Sequence, residues 1–137
     1  MSKSEKNSQP GASFIKFSAY LYIVLGVMFV ANPSGMSGGL GYENLNKGAT
    51  TEVMATYGGS WIGIGFFILY ALKSDLGKIA LMVIALTFMG FLGGRLLGIL
   101  RFQGFYGLNC YYAVFELAYL IITKRYLDKY KVGTQAT

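Results

Sequence analysis

Arg95 and Glu116 are the residues whose types could do chemistry. Arg95 stands in "FLGGRLLGIL", residues 91–100, and Glu116 in "YYAVFELAYL", residues 111–120. Both stretches are otherwise apolar or aromatic. A guanidinium keeps its charge at any pH a protein meets. Ionisable groups within apolar spans face the bundle interior and pair with one another, so Glu116 is the expected partner of Arg95. Asn109, Tyr112, Glu116, Tyr119 and Thr123 follow at spacings of three, four, three and four. That is the period of one helix face. Glu52, Thr56, Gly59 and Gly63 form a second stripe, with Tyr70 in line below. Such a constellation has two uses. It can clamp helices in register through paired charges. It can also receive an anionic or polar headgroup, with Arg95 or Arg101 offering paired donors and the tyrosines offering hydroxyls.

Other chemistries are harder to build from this chain. There is no histidine, and Cys110 is the single cysteine. A His/Cys metal site and an internal disulfide are therefore excluded, and the thiol has no imidazole to activate it. Arg95 does not release a proton readily enough for a relay. The pattern GxGxxG is absent, and "YGGSWIGIG" lies inside an apolar run, so a phosphate cradle is not supported. No catalytic residue, metal or cofactor is assigned.

The elements that position these residues follow from composition. Hydrophobic residues make up 54% of the 137 and charged residues 13%, against about 25% charged in an ordinary soluble domain. Mean hydropathy is +0.47. Four apolar segments stand out, at about 13–31, 53–72, 76–100 and 107–123. Each approaches the ~20 residues a helix needs to cross the hydrocarbon core. Continuous apolar runs exclude the alternation of a barrel. The first segment is too long for a signal peptide core, and Phe29 occupies a position where cleavage needs a small residue, so it reads as a retained anchor. The expectation is an all-α membrane protein: a short tail over 1–12, a four-helix transmembrane bundle over 13–123, and a basic tail over 124–137.

The net charge of +6 comes from 12 Lys+Arg against 6 Asp+Glu. The basic residues cluster at the ends of apolar segments, which points to bilayer orientation and not to nucleic acid. With both termini inside, Lys3, Lys6, Lys16, Lys73, Lys78, Lys124, Arg125, Lys129 and Lys131 are inner, while Lys47 and Arg101 are outer. That asymmetry predicts an N-in, C-in topology. Phe105 and Tyr106 are among the aromatics that fit an interfacial belt. Arg95 then lies about 9 Å below the outer boundary, and Glu116 about 13–14 Å below it on the returning helix. Gly90, Gly94 and Gly98 repeat every four residues, and Gly59 and Gly63 form a second small-residue pair. These are expected to let helices approach closely within the chain, or between two copies of it.

Three stretches carry a family resemblance: "MATYGGSWIGIGFFILYAL", "MGFLGGRLLGIL" and "YYAVFELAYLII". The chain resembles the small bacterial four-helix membrane proteins grouped as domain of unknown function 4345, and is distantly similar to DoxX-type proteins. The shared pattern is a Tyr-Gly-Gly opening the second helix, a Gly-Arg late in the third and a Glu in the fourth. Here these are Tyr57, Gly58 and Gly59, then Gly94 and Arg95, then Glu116. Tyr57 thereby joins the candidate polar cluster. The basic residue that usually precedes Tyr-Gly-Gly is absent, and "TEVMAT" offers Glu52 instead. The resemblance implies a multi-pass protein of the bacterial inner membrane and implies no reaction. The reading that follows is an accessory or interaction module, with the lipid bilayer and a membrane-protein partner or second copy as its contacts. The alternative is a binder or carrier of a lipid-like or small polar ligand around Arg95 and Glu116, and an enzyme ranks third.

Overall fold

The computed structural model describes residues 9–102 and 107–134. Lys3, Lys6, Phe105 and Tyr106 lie outside the described residues. The elements are α1 (Ala12–Ala31), α2 (Pro33–Gly38), α3 (Lys47–Val53), a π-helical turn (Met54–Gly59), α4 (Ser60–Lys73), α5 (Gly77–Phe102) and α6 (Gly107–Thr134). No strand occurs among the described residues. Among the described residues, three helices are long and apolar enough to cross a membrane: Ala12–Ala31, Lys47–Lys73 and Gly77–Phe102. Helix α6 is the longest at 28 residues, but its apolar part is diluted by Asn109, Glu116 and several tyrosines.

The helices divide into two compact units, Ser13–Ser74 and the combination of Met1–Ala12 with Asp75–Thr137. In the first unit, the connector between the first two apolar segments contains short helices, α2 and the start of α3. Asn32 caps α2, its side chain accepting from Gly35 N at 3.1 Å, with Pro33 in the first turn. Proline suits that position because it has no N–H to leave unsatisfied. Asn46 caps α3, its Oδ1 accepting from Ala49 N at 2.9 Å. The cap satisfies one of the orphan donors of a helix start, and the helix runs on without a break to Lys73.

The π turn decides which face of this helix packs. The N–H of Ser60 donates to the carbonyl of Ala55, a wide five-residue closure. Burial therefore steps by five from Val53 to Gly58 and then continues through Gly65, Ile68, Ala71 and Leu72. The stripe expected from a regular helix, Glu52, Thr56, Gly59 and Gly63, is exposed instead. Close approach between α1 and this helix is made by other glycines. A Cβ on Gly26 would meet the Gly58 carbonyl oxygen at 2.7 Å, and one on Gly65 would meet the Ala19 carbonyl oxygen at 2.7 Å. Only a residue without a side chain lets backbones come this near.

The second unit is built on α5 and α6. Three pairings descend along them in opposite order: Arg95 with Glu116, Phe88 with Tyr119, and Gly77 beside Tyr130. The helices are therefore antiparallel. The packing face of α5 carries Ala80, Leu81, Ile84 and Phe88. Near the start of α5, Gln9 donates from Nε2 to Asp75 Oδ1 at 2.9 Å and accepts from Gly77 N at 3.1 Å. This ties the N-terminal segment to the helix start. Burial raises the Tyr130 phenol above its ordinary pKa, so it stays neutral. Helix α6 does not stop where the apolar stretch ends at Thr123. It continues through the basic segment to Thr134, because "KRYLDKYKV" offers good helix formers and no proline.

The expected glycine stripes make no close contact within their own units. A Cβ on Gly63, Gly90, Gly94 or Gly98 would meet nothing within 4 Å, and one on Gly59 would meet only the Met54 carbonyl oxygen at 3.9 Å. The stripes lie off the faces that pack within their own units. Gly65→Ala should lower thermal stability in mild detergent, with overpacking costing about 1–3 kcal/mol. Gly94→Ala should leave it unchanged or slightly raised, since alanine favours helix by up to about 1 kcal/mol. The reverse order in a melting comparison would refute this assignment of faces.

Candidate functional site

The site grows from the inward face of α6. Asn109 and Tyr112 are half-buried, while Glu116, Tyr119 and Thr123 are buried. Neighbours off this stripe, such as Leu108, Tyr111, Val114 and Leu117, are exposed. The polar stripe is thus the face that packs, an inversion of the usual amphipathic arrangement. In water a helix buries its apolar side. In lipid the exposed side is apolar and the polar groups must find partners inside.

Arg95 reaches this stripe from α5. Its Nη2 donates to Glu116 Oε1 at 2.8 Å, and Nε lies 3.3 Å and 3.2 Å from Oε1 and Oε2. Nη1 donates to Asn109 Oδ1 at 2.8 Å. The guanidinium carbon sits 5.1 Å from the centre of the Tyr112 ring. One planar cation is therefore met by a carboxylate, an amide oxygen and a π face. Two donors on one carboxylate make the strong, directional form of the pair. A ring adds cation–π attraction of about 0.5–2 kcal/mol, depending on desolvation.

Tyr119 and Phe88 form the next layer along the pair of helices. Their rings stack at 4.2 Å between centroids and 14° between planes, and Phe115 leans on Tyr119 at 5.4 Å. The Thr123 hydroxyl turns back to the Tyr119 carbonyl at 2.7 Å, so it leaves no unmet donor in the buried face. Aromatic surface on this side excludes water from Glu116, which is 4% exposed. The Arg95 side chain keeps 20% of its surface accessible against 6% for Glu116. The carboxylate is enclosed and the cation is partly open.

Of the remaining sequence candidates, one belongs to this unit and two to the other. Arg101 is exposed, its guanidinium 5.7 Å from the ring centre of Phe102. Glu52 is exposed on α3 in the other unit. Tyr57 belongs to that unit too, stacked on Phe29 at 5.2 Å, edge-on to Trp61 at 5.7 Å, and 3.3 Å by its hydroxyl from that of Tyr42. It serves an aromatic cluster with Phe29 and Trp61. Sequence reasoning missed Gly26, Gly58 and Gly65 as packing residues. Gly58 was visible in the Tyr-Gly-Gly motif, whereas Gly26 carried no periodic signal. Among the described residues, no cluster of acidic or cysteine side chains could hold a metal ion.

The family model described as "Domain of unknown function (DUF4345)" matches residues 12–123. The chain belongs to the DUF4345 family. That match contains both Arg95 and Glu116, and it ends where the apolar part of α6 ends. No curated protein and no solved structure matches the chain. The DUF4345 description assigns no activity.

The pair can be tested by a double-mutant cycle. Removing one partner of a buried ion pair costs about 3–5 kcal/mol, and the partial exposure of Arg95 moves the expectation to the lower end. Arg95→Gln and Glu116→Gln should each destabilise, and the double substitution should recover part of the loss because no charge is then left alone. Unfolding of all four forms in detergent gives the coupling. Strict additivity would mean that the two side chains do not act together.

Proposed function

We propose that this protein is an integral four-helix bundle of the bacterial inner membrane, with both termini in the cytoplasm, acting as an accessory or interaction module. The observation that carries this reading is the pairing of Arg95 with residues of its own chain. A carboxylate, an amide and an aromatic face already meet the cation, so the cluster acts as a clamp between α5 and α6. On this reading α6 is the fourth span. Its charge is matched internally by α5, which offsets the cost of carrying Glu116 through hydrocarbon. The large exposed side chains, Leu97 and Leu100 on α5 and Val114 and Leu117 on α6, face acyl chains or another membrane protein. The bacterial assignment rests on the family resemblance.

A second reading draws on the partial exposure of Arg95. A lipid-like or small polar ligand with an anionic group could approach the accessible side of the guanidinium while Glu116 holds the other. Native mass spectrometry of the gently extracted protein separates the two. An interaction module should appear as an assembly or with a protein partner, and should lose no bound small molecule on Arg95→Gln. A stoichiometric ligand lost in that variant would favour the binder.

Topology has its own test. Cysteine introduced at Lys47 should react with an impermeant reagent from outside the cell, and cysteine at Lys78 should not. Labelling of position 78 but not 47 would refute the N-in, C-in arrangement.

A further inference from the structure

Helix α6 carries four residues on one face just beyond its apolar stretch: Ile122, Arg125, Tyr126 and Lys129. They line an open notch of about 360 Å³. We propose that this notch binds the phosphate of an anionic glycerophospholipid in the cytoplasmic leaflet. The proposal rests on the reading that α6 crosses the bilayer with its C-terminal end inside.

Spacing brings the four together. Positions 122, 125, 126 and 129 are i, i+3, i+4 and i+7, a single face of a helix. Arg125 and Lys129 are exposed and one turn apart, with Tyr126 half-buried between them. The Lys129 ammonium lies 5.2 Å from the centre of the Tyr126 ring. That ring is held in place from the N-terminal segment: a Cβ on Gly11 would come within 2.8 Å of it. Gly11 has φ +77, a conformation that suits glycine and brings the backbone onto the ring. The lining of the notch thus joins an aromatic ring packed against the N-terminal segment to two cations.

The chemistry matches a phosphodiester at an interface. Arginine offers a planar fork to phosphate oxygens, and lysine adds a point charge. Ile122 lies one helical turn before Tyr126, toward the apolar part of α6, where a glycerol backbone and the first methylenes of an acyl chain would lie. At 1.5 Å per residue, Arg125 is about 3 Å and Lys129 about 9 Å beyond Thr123. That is the depth of headgroups, where juxtamembrane Lys and Arg attract anionic lipid. A soluble phosphate would use the two cations but not the apolar end. Lys124 lies about 150° around the helix from the centre of this face, and Asp128 also lies off it. A general inner positive belt would treat Lys124 and Lys129 alike, whereas a built notch separates them.

The full chain is reconstituted in nanodiscs of phosphatidylglycerol and phosphatidylcholine in equal amounts, and the lipids retained on gentle release are read by native mass spectrometry. The native protein should keep phosphatidylglycerol several-fold over phosphatidylcholine. Arg125→Gln with Lys129→Gln should bring that ratio close to one. Lys78→Gln with Lys124→Gln removes the same charge elsewhere and should leave it unchanged. An equal fall in both pairs, or no preference in the native protein, overturns the notch. Displacement of phosphatidylglycerol by excess inorganic phosphate would overturn the lipid as the source of the phosphate. A measurement on the unsubstituted protein guards against misfolded variants: acylation of the Lys129 amine, relative to Lys124, should be slower in phosphatidylglycerol discs than in phosphatidylcholine discs, and equal rates count against the proposal. Leu108→Cys and Lys124→Cys, labelled from opposite sides of reconstituted vesicles, test the crossing of α6 separately. Labelling from the same side would remove the topological premise, while opposite-side labelling with no lipid preference would remove the notch alone.

Discussion

A guanidinium cannot be neutralised, so an apolar helix that carries one must bring it to a counterion. This constraint organises the unit built on α5 and α6. Arg95 and Glu116 meet only if the helices run antiparallel and in one register. Once they meet, the face of α6 that holds Glu116 must be the face that packs. Asn109, Tyr112, Tyr119 and Thr123 then follow Glu116 inward because they share its side of the helix. Tyr119 stacks on Phe88 as a consequence of the same register. A single charge pair is weak evidence for net stability, because desolvation offsets much of the attraction. Its value lies in specificity. A slip of a full turn, about 5.4 Å, between the helices would part the two charges.

The other unit uses no charge at all. Residues 13–74 are joined by backbone proximity at Gly26, Gly58 and Gly65 and by the aromatic cluster of Tyr22, Phe29, Tyr57 and Trp61. Close backbones gain dispersion contacts where the hydrophobic effect between helices is absent, as in lipid. The π turn at Met54–Gly59 is part of this solution. It places Gly58 against Val30 and Gly26 while the helix below keeps Gly65 against Ala19. A regular α-helix would bring a different residue to one of the two contacts. The irregular turn therefore lies at a packing constraint, with an exposed Ser60 whose hydroxyl accepts the same wide closure by donating to the Ala55 carbonyl at 3.2 Å.

Much of this was legible in the residues alone. Helical class, three of the apolar helices and their order follow from uninterrupted apolar runs, since such runs admit few alternatives. The pairing of Arg95 with Glu116 also follows, because the chain offers few other charges within its apolar segments and charge pairing in low dielectric is obligatory. The three-four spacing from Asn109 to Thr123 identified the inward face of α6, because polar groups on a helix otherwise clad in apolar residues have nowhere else to go. Family membership was readable too, as the motifs around Tyr57, Arg95 and Glu116 lie within the matched residues 12–123.

Tertiary structure decided what small and irregular elements do. Glycine has no side chain to reveal its environment, so Gly90, Gly94 and Gly98 looked like a packing seam in the sequence and make no close contact within the unit built on α5 and α6. Gly26 looked incidental and sits under a carbonyl oxygen. The π turn was equally hidden: it depends on which hydrogen bond closes a turn, and no residue type in "MATYGG" demands it. It moved the packing face off Glu52, Thr56, Gly59 and Gly63. The extension of α6 past Thr123 was masked by charge, because a basic segment reads as a solvated tail until a helix gives its side chains a face. Strong interactions such as a buried charge are specified by residue type. Close contacts depend on distances between backbones, which appear only when the helices are placed together.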